Sequence, residues 1–403
     1  MKTILLTGSA GFIGFHAAQK LIERGDFVLG IDNLNDYYDI RLKKDRLNHL
    51  KTSPQRDLFR FEKIDFSDRK AVSLLFRNNN FSHVIHLGAQ AGVRYSLTHP
   101  EAYIKSNMTG FYNILEECRQ HSIKLTFASS SSVYGNSNDI PFSIQQRTDQ
   151  PISLYAATKK SNELLAFSYS HLYDLPIIGL RFFTVYGPWG RPDMAIFRFV
   201  DAILNKRPVD IYHFGQMRRD FTYIDDVIDG LLHANDLIPD DCNLKSNLST
   251  PTSFSPQQSS KDDSPKVNKN AIQSEHETLS DNFPKTMSVI DSNIAAIDNR
   301  RDNVFQNANE KAKSASIINK NVPFRLYNLG NHQPVELLYL IEIIEKVTGI
   351  KAIKNLLPMQ PGDVQETFAD IDESIQDLQF HPKTTIEEGI SHFVQWFNSY
   401  YHR

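Results

Sequence analysis

The chain has 403 residues, 40% of them apolar, and a formal net charge of −3. That is enough chain for one large or two ordinary cores, and the near-neutral balance argues against a nucleic-acid surface. Cys118 and Cys242 give no disulfide framework and no metal-ligand spacing. No apolar run reaches the roughly 18 residues of a membrane span, and a first strand at residue 3 leaves no signal peptide, so a cytoplasmic enzyme without a metal is expected.

Thr3 to Thr7 reads as a short buried strand that runs into Gly8-Ser-Ala-Gly11-Phe-Ile-Gly14. Glycines at this spacing suit a strand that turns sharply into a helix: Gly8 for the turn, Gly11 for close approach of backbone to a pyrophosphate, Gly14 for helix-to-strand packing. The phosphates would lie on the helix N-terminus. A second strand, Phe27 to Ile31, ends in Asp32, whose carboxylate suits the adenosine ribose hydroxyls and repels a 2′-phosphate; NAD is expected rather than NADP. Then come a strand at Leu58 to Lys63 leading to Asp65, a helix over Asp68 to Arg77, and a strand at His83 to Leu87. Asp65 can meet the adenine amine, and Leu87-Gly-Ala-Gln90 passes beside the phosphates. A long helix from about Pro100 to His121 precedes a strand at Lys124 to Ala128, which delivers the run Ser129-Ser130-Ser131-Ser132-Val133-Tyr134-Gly135. A helix over Ser153 to Tyr173 and a strand at Pro176 to Arg181 complete the alternation, which predicts an α/β fold with a doubly wound parallel sheet.

Tyr155 and Lys159 stand four apart, on one face of their helix, and form an acid/base pair for hydride transfer. A phenol of pKa about 10 is a poor base, and an ammonium beside it favours the phenolate by about 4 kcal/mol for three units. Lys159 supplies that charge, and Ser130 adds a hydrogen bond to the same substrate oxygen.

Thr7 to Gly14, Asp32 to Asp39, Ala89 to Ser96, Ser129 to Gly135, Tyr155 to Lys159, Arg181 to Met194, Arg219 to Asp226 and Gln360 to Asp363 together resemble extended short-chain dehydrogenases/reductases of the NAD-dependent epimerase/dehydratase kind. Among these the chain looks most like the UDP-glucuronate 4-epimerases. The resemblance implies a Rossmann-type domain over 1–183 and a smaller C-terminal α/β substrate lobe from 184–240 and 321–403, interleaved with the first. It implies Ser130, Tyr155 and Lys159 as catalytic residues. NAD would be held by Gly8, Gly11, Phe12, Ile13, Gly14, Asp32, Asn33, Asp65, Leu87, Ala89, Tyr155 and Lys159. A UDP-sugar would be held by Arg94, Ser131, Ser132, Thr184, Arg191, Arg219 and Asp363, with Arg41 also within reach. Reversible oxidation at C4 and return of hydride to the other face would make the net reaction an isomerisation. A homodimer packed through the helix ending near His121 and the tyrosine helix is implied as well.

Dehydratases of this kind carry Asp-Glu directly before Val-Tyr-Gly, where this chain has Ser131 and Ser132. Hydroxyls cannot do that acid/base work near neutral pH, and they suit an anionic group at C5 that a carboxylate would repel. Arg219-Asp220 could instead form a plain surface ion pair. The alternatives are a UDP-glucose/galactose 4-epimerase and a non-catalytic NAD-binding sensor or scaffold. The segment 241–320 has no Gly, Tyr or Trp and only Phe254, Phe283 and Phe305 as aromatics. It is expected to be a long polar insertion, mostly disordered, with a brief helix over 287–298, and its sequon Asn247-Leu-Ser249 to be without meaning. The last helix is expected to open on a capping box of Thr384 with Glu387 and to bury Ile386, Ile390, Phe393, Val394 and Phe397.

Overall fold

Alternation along the first strand places it between two layers. In β1 (Thr3–Thr7), Ile4 and Leu6 enter one hydrophobic cluster and Leu5 enters another, as successive side chains of a strand point to opposite faces. A computed structural model of the chain describes residues 1–237, 322–360 and 362–401; the expected insertion at 241–320, with its helix, sequon and Cys242, lies outside them.

The chain continues through α1 (Phe12–Glu23), β2 (Phe27–Asp32), α2 (Ile40–Thr52), β3 (Phe59–Lys63), α3 (Arg69–Asn78) and β4 (His83–His86). Two single turns, α4 (Tyr95–Thr98) and α5 (Pro100–Tyr103), lead through a π-helical stretch, Ile104–Gly110, into α6 (Phe111–His121). Then follow β5 (Lys124–Ser130), α7 (Leu154–Tyr173), β6 (Ile177–Phe182), β7 (Thr184–Tyr186), α8 (Ala195–Leu204), β8 (Pro208–Ile211), β9 (Arg218–Tyr223) and α9 (Ile224–Leu237). From residue 322 onward lie β10 (Phe324–Leu329), β11 (Pro334–Glu336), β12 (Ile353–Leu356) and the helices Leu337–Thr348, Asp372–Leu378 and Ile386–Tyr400.

The main sheet has seven parallel strands in the order β10-β6-β5-β4-β1-β2-β3. Strand order reverses between β1 and β4, and ligands bind outside the carboxyl ends of the strands at such a switch point. Smaller sheets, β11-β9-β7 and β12-β8, build the region beside it. The division at 183/184 is corrected in one respect: β10 belongs to the main sheet, because its buried Phe324, Tyr327 and Leu329 cover the edge of β6. The capping box also sits one residue later than expected. Thr384 N donates to Asp226 Oδ2 (3.0 Å), so Thr385 takes the N-cap and pairs with Glu388. The apolar stripe of that helix is buried as expected. Among the described residues no helix is long and apolar enough to cross a membrane.

Candidate active site

At the switch point the chain has no room for side chains. Gly8 has φ +70°, and a Cβ there would stand 2.8 Å from Gly88 Cα; a Cβ on Gly14 would stand 2.1 Å from Gly8 O. Gly8 N and Ser9 N both donate to Ile31 O, and Gly11 N to Gly8 O (2.9 Å). The free N–H groups of the first turn of α1, which carries no acidic residue, therefore open onto the crevice.

Asp32, at the end of β2, is buried; its Oδ1 accepts from Leu34 N (2.8 Å) and lies 3.7 Å from Lys43 Nζ. Lys43 is buried too and donates to Asn35 Oδ1 (2.8 Å); burial holds its pKa below the ordinary lysine value, against the pull of Asp32. Carboxylate and ammonium together offer an acceptor and a donor to ribose hydroxyls. Asn33 accepts from Asn35 N and reaches Asp65 at 3.5 Å. Asp65 itself is off the cleft wall. It accepts from Ser67 N and Oγ and pairs with Lys105 (3.2 Å), which together outweigh burial and keep its pKa low.

β5 runs two residues further than expected, and so sets Ser130 at the cleft wall. Ser130 Oγ caps the short 3-10 turn Ser131–Tyr134 by accepting from Ser132 N (3.2 Å), which leaves Ser131 and Ser132 facing the cleft beside Thr184. Opposite, Ser153 caps α7 through Ala156 N, so Tyr155 and Lys159 occupy its first two turns. Lys159 is buried and donates to Ala128 O (2.8 Å). Burial lowers its pKa to about 8, with Glu163 working in the other direction. Tyr155 is half-buried at the wall. Its phenol is raised above the ordinary value by burial, and the Ser130 hydrogen bond and the Arg191 charge recover only part of that. Lys159, expected to supply the charge that favours the phenolate, holds its ammonium on the Ala128 carbonyl one helical turn beyond Tyr155.

One continuous cleft of about 900 Å³ joins these parts. It is lined by all the expected site residues except Asp65; Arg41 is likewise absent, exposed and paired with Asp39. Arg191 pairs with Asp193 through Nε (2.9 Å) and Nη2 (2.5 Å), and Tyr37 OH donates to the same carboxylate (3.1 Å). Arg94 pairs with Asp363 (2.8 Å) over the ring of Tyr212. Arg219 is fixed by the carbonyls of Arg218, Gln365 and Val364, and burial lowers its pKa. It forms no ion pair with Asp220. That carboxylate is buried and accepts from Asn331 N, His332 N and Ala369 N, a clamp on the smaller sheet.

Sequence reasoning missed a lining residue, Lys43, and a buried support behind the wall, Asn107. Lys43 was legible as a lysine on the apolar stripe of a helix, beside Leu42 and Leu47. Asn107, which donates to Gln90 O and Thr158 Oγ1 (both 3.0 Å) and accepts from Gln90 N, gives no sequence signal because it depends on the π-helical stretch. Such stretches are frequent at functional sites.

A glycine cradle that a Cβ would fill, helix N–H groups facing it and the Asp32–Lys43 pair fit a dinucleotide. Four comparisons bear on the family, and two of them, a solved structure and a family model, name NAD. A probable UDP-glucuronate 4-epimerase of Rhizobium meliloti is 40% identical over 99% of this chain and 98% of its own. UDP-glucuronate 4-epimerase 1 of Arabidopsis thaliana is 39% identical over 99% of this chain and 77% of its own. The crystal structure of UDP-glucuronic acid 4-epimerase from Bacillus cereus, in complex with UDP-glucuronic acid and NAD, superposes with a TM-score of 0.73 at 27% identity, over 99% of this chain and 100% of that one. The NAD dependent epimerase/dehydratase family model matches residues 4–242, which include the glycine cradle, the serine run and Tyr155 to Lys159. On this match, more than half its length, the chain belongs to the NAD-dependent epimerase/dehydratase family.

Proposed function

We propose that the chain is an NAD-dependent sugar-nucleotide 4-epimerase that interconverts UDP-glucuronate and UDP-galacturonate. The observation that carries the choice of sugar is the trio Ser131, Ser132 and Thr184 on the cleft wall next to Ser130 and Tyr155. Three hydroxyls hold a C5 carboxylate by charge-assisted hydrogen bonds and offer no acid or base for elimination. When bound, NAD supplies a reversible hydride acceptor and a positive charge. Tyr155 then takes the C4 hydroxyl proton and returns it, Ser130 holds the same oxygen, and Lys159 keeps a positive charge behind the phenol. The hydroxyl trio also keeps the carboxylate of the 4-keto acid from leaving as carbon dioxide.

Arg191, Arg219 and the loop of Asp363 would tether the diphosphate, to which the planar guanidinium fork is suited. On this reading Gly8, Gly11, Phe12, Ile13, Gly14, Asp32, Asn33, Leu87 and Ala89 hold the cofactor, and residues 1–183 form its domain with β10 added. The enzyme acts in the cytoplasm as a homodimer. Exposed Tyr112 on α6 and Leu164, Phe167 and Leu172 on α7 support that packing. Purified protein incubated with UDP-glucuronate, UDP-glucose and UDP-galactose, with C4 epimers resolved, tests the reaction. UDP-galacturonate is the expected product. Faster turnover of UDP-glucose would replace the uronate by the neutral sugar, and turnover of none would favour a sensor.

A further inference from the structure

Beneath the site lies a buried carboxylate that the reaction does not touch. Glu163 stands one helical turn past Lys159, so Tyr155, Lys159 and Glu163 follow one another at four-residue spacing along α7. All three reach the same strand end, residues 128–130 of β5. Tyr155 meets Ser130, Lys159 Nζ donates to Ala128 O (2.8 Å), and Ser129 Oγ donates to Glu163 Oε1 (2.7 Å). From the next strand Arg181 grips the same carboxylate at both oxygens, Nε to Oε1 at 2.8 Å and Nη2 to Oε2 at 2.9 Å. Arg181 in turn lies over the ring of Tyr134, whose hydroxyl donates to Asn328 (2.7 Å).

We propose that Glu163 is a positioning residue of the hydride-transfer site: it locks α7 against β5 and β6 through Ser129 and Arg181, and so holds the Ala128 carbonyl against Lys159 and a carboxylate one helical turn from that ammonium. The proposal rests on the 4-epimerase reading and deepens it. Groups bear on Lys159 from both neighbouring strands and from its own helix. From β4 comes His86, whose ring nitrogen bonds Thr7 Oγ1 (2.8 Å) and which burial keeps neutral, its pKa near 3. From β5 comes the Ala128 carbonyl, and Tyr155 and Glu163 stand one turn to either side on α7. Glu163 is the group that works against burial at Lys159, and Arg181 and Lys160 (3.4 Å) share its charge. Without the carboxylate the amine would lose its proton at lower pH, and the phenol its cation.

The sign follows: the Lys159 pKa falls, so the alkaline limb of kcat moves towards acid. Titration of the lysine Cε resonances by carbon-13 NMR in the holoenzyme, with Lys159 assigned by Lys159→Met, reads that charge without any substrate. In Glu163→Gln the Lys159 midpoint should fall by about one unit, and kcat on UDP-glucuronate should be lost first above neutral pH with KM little changed. Glu163→Asp keeps the charge but shortens the reach. It should restore the midpoint while kcat stays depressed at every pH. If the single neutral variant does not fold around its lone Arg181, Glu163→Gln with Arg181→Gln carries neither charge, and its Lys159 midpoint should lie below that of Arg181→Gln alone, which keeps the carboxylate. An unmoved Lys159 midpoint in the neutral variants overturns the proposal whatever happens to kcat. A wild-type protein that turns over no UDP-sugar would refute the reaction instead, and the titration would still decide the role of Glu163.

Discussion

Gly14→Ala tests the cradle, because the added Cβ would stand 2.1 Å from Gly8 O and 2.8 Å from Gly8 C, both backbone atoms. A carbon and a carbonyl oxygen settle at about 3.3 Å, so the start of α1 must retreat from the turn by about 1.2 Å. Backbone cannot swing aside as a side chain can, so the cost should reach the upper end of the about 1–3 kcal/mol seen for overpacking. For a chain of this size that is a fall in Tm of about 3–5 °C. The same retreat carries the helix N–H groups away from the phosphates. Each charge-assisted hydrogen bond lost is worth about 1.5–3 kcal/mol, so the purified variant should contain little NAD. Gly349→Ala is the control: φ is +69° and nothing lies within 4 Å of its Cβ. It should cost about 1–2 kcal/mol of left-handed strain and leave NAD in place. Thermal scans with cofactor content measured after denaturation compare the two. A Gly14→Ala protein that melts within about 2 °C of wild type and carries a full complement of NAD would refute the argument.

Tyr155→Phe should abolish epimerisation while NAD stays bound, since the cofactor is held by the cradle and Asp32; wild-type turnover in that variant, assayed by product separation, would dismiss the tyrosine. UDP-glucuronate should exceed UDP-glucose at least tenfold in kcat/KM, from about 1.5–3 kcal/mol of charge-assisted bonds. Ser131→Ala with Ser132→Ala should narrow that ratio, mainly through slower turnover of the acid, and a ratio left unchanged counts against the hydroxyl trio. Light scattering should give a dimer for the wild type, and Leu164→Glu with Phe167→Glu should yield monomer; an unchanged mass would place the interface elsewhere.

What was legible in the sequence is what a few neighbouring residues decide. The glycine turn, the acidic end of the second strand and the Tyr155–Lys159 spacing are local, and all three line one cleft. The rest depends on distance along the chain. Arg94 and Asp363 meet across 269 positions, and Glu163 and Arg181 belong to different elements joined only by packing. The phenol of Tyr155 is raised by a burial that spacing cannot reveal. Arg219 and Asp220 look like a pair in the sequence, yet adjacent residues of a strand face opposite ways: one enters the cleft and the other clamps backbone.

The seventh strand of the main sheet has a consequence in time. β6 is complete at Phe182, but its outer partner β10 begins only at Phe324. At about 5–20 residues per second of synthesis, the open edge of β6 waits on the order of ten seconds for its mate. An unpaired parallel edge is an invitation to other chains. Closing the long gap costs little at equilibrium, because each doubling of a loop adds only about 0.6 kcal/mol. The burden of the intervening segment therefore falls on the newborn chain on the ribosome and not on the finished enzyme. A temperature-sensitive yield in cells, beside an ordinary melting point once purified, is the pattern this order of synthesis would leave.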